Sequence, residues 1–506
     1  MGLKDFTLFH VIRRNAEVFG ERTAVVFEGA RITHAQYLAR VEALAAGLAA
    51  RGIRRGERIA VVAQNRLEYL DLYGAAARLG AIVVPVNWRL SADEMAHAIT
   101  DTTPTAVFAD SEYQPAVAAA RERCPSVVQC YGFDGVQQGF QPYAELPDPA
   151  GRAPEVDVAG DDGFVIIHTA AVGGLPRGAE ITHAGLIASN LQSMHHWQLG
   201  PDDVNLGMLP LFHVSGLGLH LAVQQAGGST VLSVRFDAAA AARQIAEHRV
   251  TVFAEFAPML GSVLDQAQAG GADLSSLRAV TGLDTPQTIA RFEADCPNAR
   301  FWVGFGQSEL SGFATLAPFR DRPGSAGRPA LLTRVAVFDD LDRPLPPGQT
   351  GEIVARGPIV FKGYWGRDDD NAQTFRGGWH HTGDMGRFDD DGYLWYAGRS
   401  PAKELIKPGG ENVYPAEVEK VILEHPAIGE VVVIGVRDAQ WGEAIKAVCA
   451  CKAGAVVPAA AELIEFVGAR IARYKKPKHV VFVDALPRTA AGVVDRQRVK
   501  QDHGDA

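Results

Sequence analysis

The sequence predicts an α/β protein: a large N-terminal domain of sheets flanked by helices, followed by a smaller α+β domain. Three observations carry this. Strand and helix patterns alternate through the first half, the signature of parallel sheets with crossover helices. Apolar residues make up 47% and charged residues 21% of the 506, enough for a sizeable core and too apolar for a disordered chain. After about residue 398 a Gly, Pro and Lys-rich passage leads into short strands, which places a domain boundary near Gly398 and divides 1–398 from 399–506.

Taken in order, Thr33 and Gln36 form a capping box, Tyr37, Val41, Leu44 and Leu48 share one helical face, and Gly52 closes the helix. The strand RIAVVA (58–63), a helix from Leu67 to Leu79 and the apolar run AIVVPV (81–86) make a βαβ unit with parallel strands. Ser91 and Glu94 offer a second capping box. Residues 131–160, rich in Gly, Pro, Gln and Asp, read as an irregular surface connection before the strand FVIIH (164–168). FDDDGY (388–393) is a hairpin turn signalled by Asp-Gly. In the small domain, VVVIGV (431–436), AVCACK (447–452) and HVVFVD (479–484) are strands, with a helix over 460–473.

A net charge of −10 argues against nucleic-acid binding, which needs clustered Lys and Arg. Five cysteines, without metal-ligand spacing, suit a reducing compartment. The N-terminal residues lack the apolar core of a signal peptide and no run is long enough to span a membrane, so the expected location is cytoplasmic, with no integral membrane segment.

Four segments carry candidate chemistry. HTAAVGGLPRGAEITH (168–183) reads as a loop between a strand and a helix. Gly173, Gly174 and Gly178 would let backbone N–H groups approach phosphate oxygens while Arg177 supplies charge; a simple tight turn is the competing reading. It is not a Walker A loop, because no Lys-Ser or Lys-Thr pair follows. In VGFGQSEL (303–310), Glu309 could hold magnesium and Ser308 a phosphate, or the pair could simply cap a helix. In GWHHTGDMGRFDDDGYLWYAGRS (378–400), Asp384 stands between glycines where it could accept two ribose hydroxyls, and Arg399 follows the next strand. The fourth, KELIKPGGENVYPAEVE (403–419), has two lysines, a double glycine and a proline-marked helix start.

GGENVYPAEVE, taken with the upstream TGD and GR, resembles the adenylate-forming enzymes, in particular the acyl-CoA synthetases and acid-thiol ligases related to luciferase. The resemblance implies a mobile C-terminal domain, ATP, Mg2+ and coenzyme A as cofactors, and a small-molecule carboxylic acid, fatty or aromatic, as the partner substrate. In that family a loop reading roughly T-S-G-T-T-G-x-P-K-G wraps the ATP phosphates. Thr169, Gly174, Pro176 and Gly178 match it, Gly173 replaces a threonine, Arg177 replaces the lysine, and Ala170, Ala171 and Val172 replace hydroxyl or glycine positions. Phe305, Gly306, Gln307, Ser308 and Glu309 match the aromatic-Gly-x-Thr-Glu segment, with Glu309 the implied magnesium ligand; Asp384 and Arg399 match the ribose-binding pair. VTGLD (280–284), with Gly282, resembles the adenine-side loop, and PLFHVSGL (210–217) the acyl-pocket segment, with His213 as gate or wall. Lys403 lies near the implied hinge, Lys407 where a lysine serves thioester formation, and Gly409 and Gly410 where the pantetheine tunnel is lined.

One departure is large: LPRTAAGVVDRQRVK (486–500) resembles a closing loop whose lysine reaches the α-phosphate, and here that position is Val493. The expected function is therefore acyl-CoA formation through an acyl-adenylate with a weakened adenylation step. The alternative is a catalytically impaired relative that binds nucleotide or acyl-CoA as a sensor or scaffold. The adenylation unit of a peptide synthetase is disfavoured because no carrier segment follows residue 506. Trp441 and the basic run YKKPK (474–478) read first as packing and as a solvated helix end, and a homodimer is left open.

Overall fold

Short apolar runs with no polar face become the central strands of two sheets, because a strand covered on both sides gains from burying every side chain. Ile82–Pro85 and Ala106–Ala109 are buried at every position. The computed structural model describes residues 5–169, 176–399, 405–411, 413–488 and 494–505.

The first sheet has, in order, Gly363–Tyr364, Arg177–Thr182, Gly163–Thr169, Ile82–Pro85, Arg58–Val62, Ala106–Ala109, Gln129–Gly132 and Gln141–Pro142. Its strands run parallel from Gly163–Thr169 onward. The helix Leu67–Leu79 crosses between Arg58–Val62 and Ile82–Pro85, which is the βαβ unit expected from the sequence. Both capping boxes form: the Gln36 N–H donates to Thr33 Oγ1 at 3.2 Å, and the Ser91 N–H to Glu94 Oε2 at 2.8 Å.

The second sheet is parallel through Arg300–Val303, Ala279–Leu283, Val252–Phe256, Val204–Gly207, Ser229–Leu232 and Thr23–Phe27, with antiparallel strands at its edges. A four-stranded antiparallel sheet, Arg334–Phe338, Gly351–Arg356, His380–Phe388 and Leu394–Arg399, follows. The Asp-Gly turn closes its last hairpin as expected. The small α+β domain wraps Ile428–Asp438, Gly442–Cys451 and His479–Val483 with the helices Pro415–Leu423 and Ala460–Gly468 over one core; Leu486 and Val499 close a second.

Three expectations are corrected. Residues 169–178 do not join a strand to a helix: Gly163–Thr169 and Arg177–Thr182 pair antiparallel, and the helix His183–Trp197 starts only after Thr182 caps it. GAEIT is buried at every position, as a strand covered on both faces is, so it continues the sheet instead of coiling. The helix expected over 460–473 stops at Gly468, after which Ile471 and Ala472 turn into the core. The basic run is not a solvated helix end throughout: Lys475 is 3% exposed, with its ammonium 2.5 Å from Glu94 and 2.6 Å from Glu417.

Glu94 belongs to the large domain and Glu417 to the small one, so Lys475 clamps the two together. Burial lowers the Lys475 pKa, and the two carboxylates outweigh it, leaving the ammonium firmly charged. Replacing Lys475 with Met strands two buried carboxylates, which typically costs about 3–5 kcal/mol. Lys475→Met is expected to lower the thermal midpoint and speed protease cleavage between the domains; unchanged values of both would disprove the clamp.

Candidate active site

Ligands of open α/β sheets bind outside the carboxyl ends of the parallel strands, and those ends meet here. Asp384 is 2% exposed and stands opposite Arg399 across the hairpin. Its carboxylate lies 3.0 Å from Arg399 Nε, accepts the Tyr396 hydroxyl at 2.9 Å, and accepts the side-chain amide of Gln307. Burial opposes charge on Arg399, but Asp384 outweighs it and raises its pKa. The positive φ of Gly383, 68°, turns the chain so that the Asp384 N–H reaches Thr382 Oγ1 at 3.1 Å.

Gln307 carries the connection to the next group. Two residues on, in the turn Ser308–Leu310, buried Glu309 accepts the Thr169 hydroxyl at 2.6 Å and the Tyr364 hydroxyl at 3.0 Å on one oxygen. Arg177 pairs with Thr169 in the hairpin register; its guanidinium lies 3.8 Å over the Tyr364 ring and 3.3 Å from Asp370, with Nε unpartnered. Thr169, Arg177, Gly178, Glu309, Asp384 and Arg399 are thus linked through Tyr364 and Gln307. Gly306 is required by close approach, since a Cβ there would lie 2.5 Å from the Gly312 carbonyl oxygen. Phe305 stacks on Tyr396 at 6.3 Å. Ser308 is half-buried, with its carbonyl accepting the Ser311 N–H. Gly173 and Gly174 lie outside the described residues, as do Lys403 and Val493.

A second wall comes from the small domain. Gly409 and Gly410 take positive φ, 57° and 84°, and pack against Trp441 and Phe256 respectively, so Trp441 has the packing role expected of it. Lys407 is open to solvent yet ringed by protein: desolvation and Arg399 lower its pKa, against Asp384 and Glu443. Gly282, on the strand next to Phe256, lies beside this wall. His213 Nε2 is 3.6 Å from Glu411, which also accepts Asn87 at 3.2 Å and pairs with Arg89.

Sequence reasoning missed Arg89, Asn87, Tyr364 and Tyr396. Asn87 and Arg89 had a usable signal, polar residues just past the carboxyl end of a buried parallel strand; Tyr364 had none. Among the described residues no three His, Cys, Asp or Glu side chains gather to hold a metal. Glu309 alone fits Mg2+, which binds through one or two carboxylates plus substrate phosphates.

The chain matches the model of the AMP-binding enzyme family over residues 12–365 and that of the AMP-binding enzyme C-terminal domain over 417–492. It is 35% identical to an indoleacetate–CoA ligase of Aromatoleum aromaticum over 97% of each chain. It is also 35% identical to a feruloyl-CoA synthase of Amycolatopsis sp, over 97% of this chain and 98% of that one. A solved Rhodopseudomonas palustris CGA009 structure, described as a long-chain-fatty-acid CoA ligase, is 54% identical and superposes at TM-score 0.76, covering 79% of this chain and 100% of that one. The chain belongs to the adenylate-forming AMP-binding enzyme family and, within it, to the acyl-CoA synthetases, which use ATP, Mg2+ and coenzyme A.

The Glu411 cluster makes stability pH-dependent. Burial raises the Glu411 pKa, and His213 and Arg89 more than reverse this, bringing it from its ordinary value of 4.5 to about 2. A depressed folded-state pKa contributes stability that is full above 4.5 and lost as pH falls through about 2, an effect of about 3 kcal/mol. Thermal midpoints should therefore fall more steeply across that window in the wild type than in Glu411→Gln; parallel curves would refute the assignment.

Proposed function

We propose that this acyl-CoA synthetase converts a fatty or aromatic carboxylic acid to its CoA thioester through an acyl-adenylate, releasing pyrophosphate and then AMP. The observation that carries it is the pair of hydrogen bonds from Gln307 to Asp384 and from Thr169 to Glu309, which bring three distant nucleotide-type segments into one cleft.

In this reading Asp384 accepts the ribose hydroxyls, and Arg399 pairs with its carboxylate. Arg177 faces the phosphates with a planar, permanently charged group that a carboxylate-free Nε leaves able to bond further. Glu309, which accepts the Thr169 hydroxyl, would hold Mg2+, which neutralises phosphate charge when bound. Nucleotidyl transfer of this kind depends on positioning and charge neutralisation, which such fixed groups supply.

The second half-reaction draws on the small domain. Lys407 faces Asp384 and Arg399, and its lowered pKa makes its ammonium the easier of the site's cations to deprotonate. Gly409 and Gly410, pressed against Trp441 and Phe256, line the path for the pantetheine arm. His213 and Glu411 close the acid end of the cleft. The small domain, 399–506, is taken as mobile about a hinge near Lys403. Arg488, a candidate to replace the missing closing-loop lysine, is engaged by Glu430, which leaves Val493 uncompensated from that side chain.

Mixing the protein with MgATP, coenzyme A and a panel of indole-3-acetate, ferulate and dodecanoate is expected to release pyrophosphate and form a thioester with at least one acid. Pyrophosphate release with none, alongside clear ATP binding, would favour the sensor alternative. Val493→Lys is expected to raise the adenylation rate on the order of tenfold or more, by restoring a preorganised charge. An unchanged or lower rate would mean that another group already fills the role.

A further inference from the structure

A pair of carboxyl groups lies at the carboxyl end of the strand Ala279–Leu283, one of them on Asp284, which opens the loop after it, and takes no part in the chemistry above. Glu255 is 0% exposed, and among the described residues neither of its carboxyl oxygens has a hydrogen-bond donor in normal geometry. Asp284 Oδ2 is likewise without a donor, while Asp284 Oδ1 accepts the Thr285 N–H at 2.6 Å. The two side chains face one another. Two ionised carboxylates in contact, one of them wholly buried, repel in a medium that solvates neither. A single proton between them removes one charge and supplies the donor that both oxygens lack.

The geometry ties this pair to the cleft. Glu255 and Gly282 are register partners on adjacent parallel strands. A Cβ on Gly282 would lie 2.0 Å from the Glu255 carbonyl oxygen and 2.8 Å from Glu255 Oε1, so the end of that strand rests on Glu255 with no space between. One residue along, Phe256 packs on Gly410 of the small domain.

We propose that Glu255 and Asp284 share one proton, Glu255 donating to Asp284, and that this acid pair is the positioning unit that seats the end of the strand Ala279–Leu283, and the loop that Asp284 opens, against the cleft. Among the described residues, Asp284 is the ionisable group that faces Glu255. From the helix Met259–Gly270 the Leu260 N–H faces it without normal hydrogen-bond geometry, and from the helix Pro286–Asp295 the Thr288 hydroxyl faces Asp284. Desolvation, then the neighbouring carboxylate, raises the Glu255 pKa, and desolvation raises that of Asp284. A raised folded-state pKa contributes stability that is full below the unfolded value and lost as pH rises through the folded one. The pair therefore loosens on the alkaline side.

That the loop borders a nucleotide rests on the proposed function; the shared proton does not. The test uses the full chain without ligand and compares thermal midpoints of the wild type, Glu255→Gln and Glu255→Leu from pH 6 to 9.5. Glu255→Gln keeps a donor to Asp284 that cannot titrate, so the wild type should lose stability relative to it as pH rises. Curves that stay parallel overturn the shared proton. AMP binding at pH 7, read by calorimetry, should be retained in Glu255→Gln and weakened roughly tenfold or more in Glu255→Leu, since small misplacements of a site wall are costly. Equal binding in Glu255→Leu and the wild type overturns the positioning role. A wild type that binds no AMP counts against the nucleotide reading, and the alkaline comparison of the free chain still decides the acid pair.

Discussion

The ion pair of Asp384 with Arg399 is the constraint on which the rest of the cleft depends. A carboxylate this deeply buried is tolerated only with its charge matched and its oxygens bonded. Asp384 meets that demand with partners from two different sheets: Arg399 and Tyr396 from the antiparallel one, Gln307 from the loop after the parallel strand Arg300–Val303. Gln307 also donates to the Thr382 carbonyl and meets His380 Nε2 at 3.3 Å, so its amide is held at both ends. Satisfying one buried charge thus fixes the angle at which the two sheets meet. Glu309, two residues further on, inherits its position from that contact.

The small domain docks by the same rule. Residues 87–94, just beyond the carboxyl end of Ile82–Pro85, present Asn87, Arg89 and Glu94 in a short stretch that ends in a capping box. Asn87 and Arg89 bind Glu411, and Glu94 binds Lys475, so both ends of the segment are engaged by the small domain. Glu94 serves twice, since the oxygen that caps the helix Ala92–Thr102 also accepts the Ala472 N–H at 3.2 Å. Burying charge in this way contributes more to a defined orientation than to net stability, because the desolvation cost offsets much of the attraction. The orientation it defines puts Gly410 on Phe256 and Lys407 toward Asp384.

Local rules made most of the fold legible. Leu67–Leu79 was readable residue for residue from its apolar spacing, and both capping boxes from four letters each. The site segments were legible because glycine and carboxylate motifs are contiguous in sequence. What local pattern could not give were contacts made across the chain. Lys475 looked like one of several surface lysines, and its burial depends on Glu94, 381 residues away. Tyr364 sits in an ordinary GYWG stretch, and its place under Arg177 comes from an antiparallel pairing with Ala179 that no periodicity announces. A second antiparallel pairing, of Gly163–Thr169 with Arg177–Thr182, made a hairpin where a strand-to-helix loop was expected.

Tyr364 also gives a physical reason for arginine at position 177. Its ring offers a flat face at 3.8 Å, and its hydroxyl donates to Glu309, so one side chain fixes both the cation and the carboxylate. A planar guanidinium stacks on such a face and still presents its N–H groups sideways, whereas a lysine ammonium would touch the ring at a point and lose that direction. Stacked in this way, the guanidinium also reaches Asp370, 3.3 Å from its Nη1. The aromatic seat and Asp370 together fix the direction of the Arg177 cation.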